Sequence, residues 1–426
     1  MMRLWHGLFL AGTALLLVVP NIYLAAPVLL SLAGLFLIRR ARSTTPITDA
    51  ALRASWRALL GGFAAIALSG LLLNIYHGDT DFGAYERLLP FILLPAMAYT
   101  IRAGGWPALV WIAALGLAAL LAGVHAGWEF LTDPNLRAQG AAGNPIKFGH
   151  SAVILAALCT FAALLYPFPN RAFLWRGGLL IAALAATQAS LLSGSKGGWP
   201  VLLALAIAAA YTISRNRTLL QRNALAAGSI AALVVISMLS PAHMVRDRIT
   251  SGIHGAVHWF QSGGEVTEGS VSLRFELWSL GLHIFTENPI LGAGVEGKDA
   301  RWAEIVATDP DYAVIGTLTS ADNDIIDALA NSGIIGALSL ILALLGTWTA
   351  FWRWRHHPDT GVMTLARMGL TLTPAYVLFG LSVSVFGISI FRALFVSIAV
   401  TLLALITNRL SALAEGKRTT SGADQS

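Results

Sequence analysis

Apolar runs of about 15 to 22 residues recur along almost the whole chain, and no other feature restricts its fold so far. A hydrocarbon layer takes about 20 apolar helical residues to cross. Inside it every backbone N–H and C=O must find a partner within the chain, which leaves helices or a closed barrel. The runs are continuous and rich in Leu and Ala, without the alternation of barrel strands. The expected class is an all-α polytopic membrane protein. Twelve runs are discernible, the first near residues 6–20 and the last near 391–408, with 88–101 and 224–240 among them, so about 12 transmembrane helices are expected. A composition of 56% hydrophobic and 12% charged residues is more apolar than a soluble core requires.

The first run follows a single charge, Arg3, and leads into the second without a small-residue cleavage site, so it is expected to be a retained helix. The lone cysteine, Cys159, lies within an apolar run and rules out a disulfide or a cysteine metal site within one chain.

Charge sorts the loops. With the N-terminus placed in the cytoplasm, the cytoplasmic side collects 18 of the 28 Lys and Arg residues and only 4 of the 22 acids, namely Asp49, Asp359, Glu415 and Asp424. Short loops obey the positive-inside rule with both termini cytoplasmic. The basic net charge of +6 is thus an orientation signal, and no nucleic-acid partner is expected. The chain is expected to divide into helices 1–9 over residues 1–240, an outer loop domain with short helices over 241–324, and helices 10–12 with a cytoplasmic tail over 325–426. Loops as long as 241–324 usually carry function.

Four outer stretches join charges to turn residues at membrane edges: RAQGAAGNPIKFGH (137–150), SGSKGGW (193–199), SLRFELWSLGLHIFTENPILGAG (272–294) and TSADNDIIDALANSGIIGAL (319–338). The chain has only four lysines, Lys147, Lys196, Lys298 and Lys417. Lys196 sits among glycines at a break between two apolar runs, where an ammonium and backbone amides can converge on an anion. Alternatively it is a snorkelling lysine in a tight loop. Lys147, beside Gly-Asn-Pro, has the same two readings. Arg274, on an amphipathic helix with Glu276 and Trp278, is either a site cation or half of a structural ion pair.

Three sharper motifs fail on context. GAGVEG (292–297) matches G-x-G-x-x-G but follows no expected strand. His254 and His258 have i, i+4 spacing but lack the matching glutamate, so a solvated loop helix is favoured. Asp309/Asp311 and Asp322/Asp324 have D-x-D spacing, yet Asp-Pro-Asp is an ordinary turn and Ala-Asp-Asn-Asp an ordinary helix start, with Asp322 or Asn323 as cap. No metal site and no cofactor is expected. Capping leaves unexplained the Gly-Ile-Ile-Gly that follows at a fixed distance.

In order and spacing, LLSGSKGGW, RFELW with IFTENPILGAG, and ADNDIIDALANSGIIGAL resemble the O-antigen ligase/polymerase superfamily. This comprises WaaL ligases, Wzy polymerases and protein O-oligosaccharyltransferases, and the likeness covers roughly residues 137–345. The resemblance implies a glycosyltransferase in the bacterial inner membrane, its long loop periplasmic. It would take a glycan from undecaprenyl pyrophosphate and, as a ligase, pass it to a sugar hydroxyl of lipid A-core. Lys196 stands where the family usually has arginine, which keeps charge but not bidentate geometry. Asp322 stands where many ligases have histidine, before Asn323. On that reading Asp322 and Asn323 are the catalytic pair and Asp322 the general base. Lys147, Lys196, Arg274 and Arg137 would stabilise the departing pyrophosphate without metal, and His150 and Asp324 are secondary candidates. A polymerase or protein oligosaccharyltransferase fits the same motifs. A twelve-helix secondary transporter is the rival from another class, but no repeat relates the two halves and the ionisable residues crowd at one face.

Overall fold

The computed structural model describes residues 2–39, 47, 49–214, 250, 254, 257, 261 and 272–423. The expected span at 224–240, His258 and most of 241–271 lie outside the described residues. Every described element is helical: α1 (Met2–Ala14), α2 (Ile22–Arg39), α3 (Ala50–His77), α4 (Phe82–Glu86), α5 (Leu89–Leu93), α6 (Met97–Gly104), α7 (Ala108–Thr132), α8 (Pro145–Leu165), α9 (Ala172–Leu192), α10 (Trp199–Ser214), α11 (Ser272–Glu287), α12 (Val295–Thr308), α13 (Asp324–Trp352), α14 (Thr360–Gly380) and α15 (Ser389–Ala423). Seven of these, α3, α7, α8, α9, α13, α14 and α15 through Gly416, are long and apolar enough to cross a membrane, and α2 and α10 are shorter apolar helices. The all-α polytopic membrane class is therefore established, and the described residues do not reach twelve full-length spans.

Position in the bundle follows composition. The apolar windows of α8 and α15 are 89% and 94% buried, against 33% for α3 and 39% for α13. The central α8 is apolar all round and rich in Ala, so it packs on every side. By contrast α13 leaves Leu338, Leu342 and Leu345 exposed at helical spacing, a stripe suited to lipid. The run 88–101, expected as one span, is instead α5, a tight turn at Leu94–Ala96 and α6. Pro90 and Pro95 each occupy a first-turn position. Proline has no N–H to donate and its ring clashes with the preceding turn, so each one starts a new helix instead of continuing the old one.

α3 and α13 pack closely through the N-terminal half of α3 and the C-terminal half of α13, where glycines permit it. A Cβ on Gly62 would lie 2.8 Å from the Ala343 Cα, and one on Gly346 would lie 2.4 Å from the Ala58 carbonyl oxygen. Nearer the other end they diverge around a cavity.

The Gly-Ile-Ile-Gly sequence has a tertiary explanation. α13 is kinked at Gly333, whose φ of 60° and ψ of −158° suit glycine alone. The kink opens the helix ladder, and residues 289–294 fill the gap with their own backbone. Ala293 N–H donates to the Ala330 carbonyl (3.0 Å) and Gly294 N–H to that of Asn331 (2.9 Å), while Ile334 N–H donates to the Pro289 carbonyl (2.9 Å). The contact is tight enough to need glycine on both partners, since a Cβ on Gly292 would lie 2.4 Å from the Asn331 carbonyl carbon. PILGAG and SGIIG are thus two halves of one interlock.

The interlock delivers α12 to the end of α3. Asp79 accepts from Val295 N–H (3.2 Å) and Glu296 N–H (3.1 Å), capping α12. Glu296 in return accepts from the Thr80 and Asp81 amides. Reciprocal capping of this kind satisfies donors that a helix start leaves unpaired.

Candidate functional site

The four charged stretches meet at one end of the bundle. The 137–145 loop lies on the turn after α9: Arg137 Nε donates to the Ser193 carbonyl (2.8 Å), Ala138 N–H to that of Leu192 (3.1 Å), and Ser195 Oγ to that of Pro145 (2.7 Å). Arg137 therefore ties two loops together. Lys147 is half-buried in the first turn of α8, where Asn144 caps its amide (3.2 Å). Lys196 is half-buried and opens the short turn Lys196–Gly198. The absence of a side chain at Gly197 lets this turn approach both His150 and Ser382, because a Cβ there would lie 2.9 Å from His150 Nε2 and 2.1 Å from Ser382 Oγ. His150, 1% exposed, holds the Ile146 carbonyl through Nδ1 (2.9 Å), packs its ring edge against Phe379, and leaves Nε2 without a partner.

The charge of Arg274, on α11, is felt at both His150 and Asp322, which links the lysine turn to the aspartate stretch. Each aspartate there has a different task. Asn323 is the N-cap of α13, its Oδ1 accepting from the amides of Ile325 (3.0 Å) and Ile326 (3.2 Å). Asp327 holds the preceding turn: its carboxylate accepts from Ser320 Oγ (2.7 Å), Ala321 N–H (3.0 Å) and Ser384 Oγ. Asp324 accepts from Phe386 N–H (2.8 Å) and fastens α13 to the turn before α15.

Asp322 takes no such part. Its backbone is in the left-handed region, φ 50°, which aspartate tolerates better than most residues. Its amide donates to Ser320 Oγ (3.2 Å), and its side chain caps nothing. Burial raises its pKa above the ordinary value, against the opposing pull of Arg274 and with a further push from Asp327. Burial likewise lowers the pKa of Arg274, opposed by the Asp322 charge. Both shifts describe an acid and a base taken partly out of water together.

Asp322, Asp324 and Asp327 line a partly open cavity of about 360 Å³ between α3, α4, α5, α12, α13 and the start of α15, a size usual for small-molecule sites. Lys147, Lys196, Arg274 and Arg137 are not in its lining. The basic residues that are, Arg87, Lys298 and Arg392, were not among the expected site residues. Two of them carried a sequence signal: Lys298 is one of only four lysines, and Arg392 interrupts an apolar run, where ionisable groups tend to be functional. Arg87 has none. Of the D-x-D pairs, Asp309 ends α12 and the Asp311 side chain is outside what is described. Among the described residues no group of three His, Cys, Asp or Glu side chains is arranged to hold a metal ion.

Fold and site together define a multi-pass α-helical membrane protein with a charged cavity at one end of its bundle. Residues 181–341 match the family model described as O-Antigen ligase, in keeping with the O-antigen ligase/polymerase superfamily. The segment contains the lysine turn, Arg274, the interlock and the aspartate stretch. A Haemophilus influenzae protein described as uncharacterized is 24% identical over 168 residues, which is 39% of this chain and 41% of that protein. The likeness thus spans about two fifths of the length of each.

Proposed function

We propose that the chain is an O-antigen ligase: a glycosyltransferase that moves a glycan from undecaprenyl pyrophosphate to a sugar hydroxyl of lipid A-core. In this reading it lies in the inner membrane with both termini cytoplasmic and the site facing the periplasm. The observation that carries it is Asp322, a partly desolvated carboxylate that caps no helix, feels the charge of Arg274 and lines a cavity. As the acceptor hydroxyl oxygen bonds to the anomeric carbon of the donor sugar, Asp322 takes its proton. The bond from that carbon to the pyrophosphate oxygen breaks and its electron pair leaves with the pyrophosphate. Arg274 and Lys196 stabilise the charge that develops there, with Lys147 in support, while Arg137 positions the lysine turn through Ser193. Asn323 shapes the site as the cap that leaves Asp322 uncommitted.

Deletion in the native host, with separation of the lipopolysaccharide species, tests the reading. Loss of all O-antigen from the core is expected. A single attached repeat unit would make the protein a polymerase, and unchanged lipopolysaccharide with under-glycosylated protein would make it a protein oligosaccharyltransferase. In a reconstituted assay, Arg274→Ala and Lys196→Ala are each expected to lower transfer by about 10²–10³-fold, the usual effect of losing one donor to a developing anion. Unaltered transfer in both would return the two cations to structural roles.

A further inference from the structure

A second cavity, of about 370 Å³ and open on one side, lies between α7 and α9, and its lining is apolar except for Arg171. Glycines shape it. At Gly123 the two helices touch, since a Cβ there would lie 2.8 Å from the Ala185 carbonyl oxygen. Nearer the start of α9 the space widens: the closest atom to a Cβ on Gly116 would be Leu179 Cδ2 at 3.1 Å, and a Cβ on Gly178 would meet nothing within 4 Å. No packing among the described residues requires the bare Gly178. Trp175 forms one wall, held by stacking on Phe168 with ring centroids 5.7 Å apart and planes 1° apart. Leu117 and Leu174, also in the lining, are exposed.

The dimensions and the charge of this groove point to one kind of occupant. Arg171 and Leu179 mark its two ends on α9, a rise of about 12 Å along a helix. That is close to half of a hydrocarbon layer about 30 Å thick, so the groove is as deep as one leaflet and carries its charge at the headgroup end. The segments leading into the two helices, RAGGWP (102–107) and YPFPNR (166–171), contain two arginines and no acid. Arg171 is exposed and pairs with no acid among the described residues.

We propose that the groove between α7 and α9 binds one anionic phospholipid, with an acyl chain against Leu117, Leu174 and Trp175 and the phosphate at Arg171. A guanidinium matches phosphate oxygens in geometry as well as charge, and an acidic headgroup supplies the counter-charge that the chain itself does not. α9 runs from Arg171 to the lysine turn, so this lipid sits at the opposite end of the helix from the candidate site and is not the substrate. In the orientation proposed above it belongs to the cytoplasmic leaflet, and its binding does not depend on that orientation.

The test is native mass spectrometry of the delipidated full chain in detergent, titrated with phosphatidylglycerol or with phosphatidylcholine. The parent is expected to take up one phosphatidylglycerol at lower concentration than phosphatidylcholine. Arg171→Gln is expected to weaken phosphatidylglycerol binding about fivefold, the usual contribution of one arginine near anionic lipid, and to leave phosphatidylcholine binding as it was. Because Arg171 is exposed, this variant is expected to elute and melt as the parent does. Gly178→Leu, which fills the groove and replaces a poor helix former with a good one, is expected to remove the tight adduct of either lipid without lowering the melting temperature. Equal uptake of the two lipids by the parent, or parental phosphatidylglycerol affinity in either variant, would overturn the proposal. So would a parent that takes up no tight lipid, as when a second copy or another segment of the chain covers the groove.

Discussion

Transfer by Asp322→Asn is expected to fall by about 10²–10⁴-fold, the range that a positioned general base contributes, with the protein inserted at parental levels. The substitution keeps the size of the side chain, and asparagine tolerates the left-handed backbone of position 322 as well as aspartate does. It also leaves the helix start intact, because Asn323 is the residue that caps α13. What it removes is the ability to accept a proton. Asp322→His, which restores a group able to accept one, is expected to retain partial activity. The acidic limb of the parent pH–rate profile should lie above the value of about 3.9 for a free aspartate, because burial raises the Asp322 pKa. As a base the group works when deprotonated, so activity rises with pH through that raised value. Full activity of the Asn variant at equal protein level would remove Asp322 from proton transfer, and His150, buried with Nε2 unpaired, would be next to test.

Gly333→Ala is expected to prevent stable accumulation of the protein, although it adds only a methyl group. Its Cβ would lie 2.3 Å from the Ile290 carbonyl oxygen and 2.7 Å from the Gly292 amide nitrogen, both backbone atoms that no rotamer change can move aside. The backbone conformation alone costs a non-glycine residue about 1–3 kcal/mol, and relief by separation would break the hydrogen bonds that hold 289–294 against α13. The damage would reach the site, since the same interlock places α12 against Asp79 and brings Lys298 to the cavity. Gly297→Ala is the control: it has ordinary φ and no neighbour closer than 4.0 Å, so its level in the membrane and its melting temperature should match the parent. A Gly333→Ala protein that accumulates and melts like the parent would contradict the interlock.

A cap does lie in 319–338, but it is the neutral Asn323 and none of the three aspartates. Sequence left Asp322 and Asn323 as equal candidates, since both residue types cap well. The structure gives the cap to Asn323 and ties Asp324 and Asp327 to Phe386, Ser320 and Ser384. Those partners lie up to 62 residues away along the chain, and no local pattern reports them. The cations are similar. Lys196 and Arg274 stood out because a charge is costly at the edge of an apolar run, whereas Arg87 sits in an ordinary polar turn and acquires meaning only through the fold that sets it near Arg392.

By itself the sequence determined the class, an α-helical membrane protein. Hydropathy acts locally, and a bilayer forces each apolar run to satisfy its own backbone. It also determined which loops are charged and where the candidate site residues stand along the chain. Only the tertiary structure decided that 88–101 breaks at its prolines, that two glycine-rich stretches some 40 residues apart join through their backbones, and which aspartate is left uncommitted. These depend on contacts between segments distant in sequence, where glycine is chosen for the neighbour it admits and a carboxylate for the amide it meets.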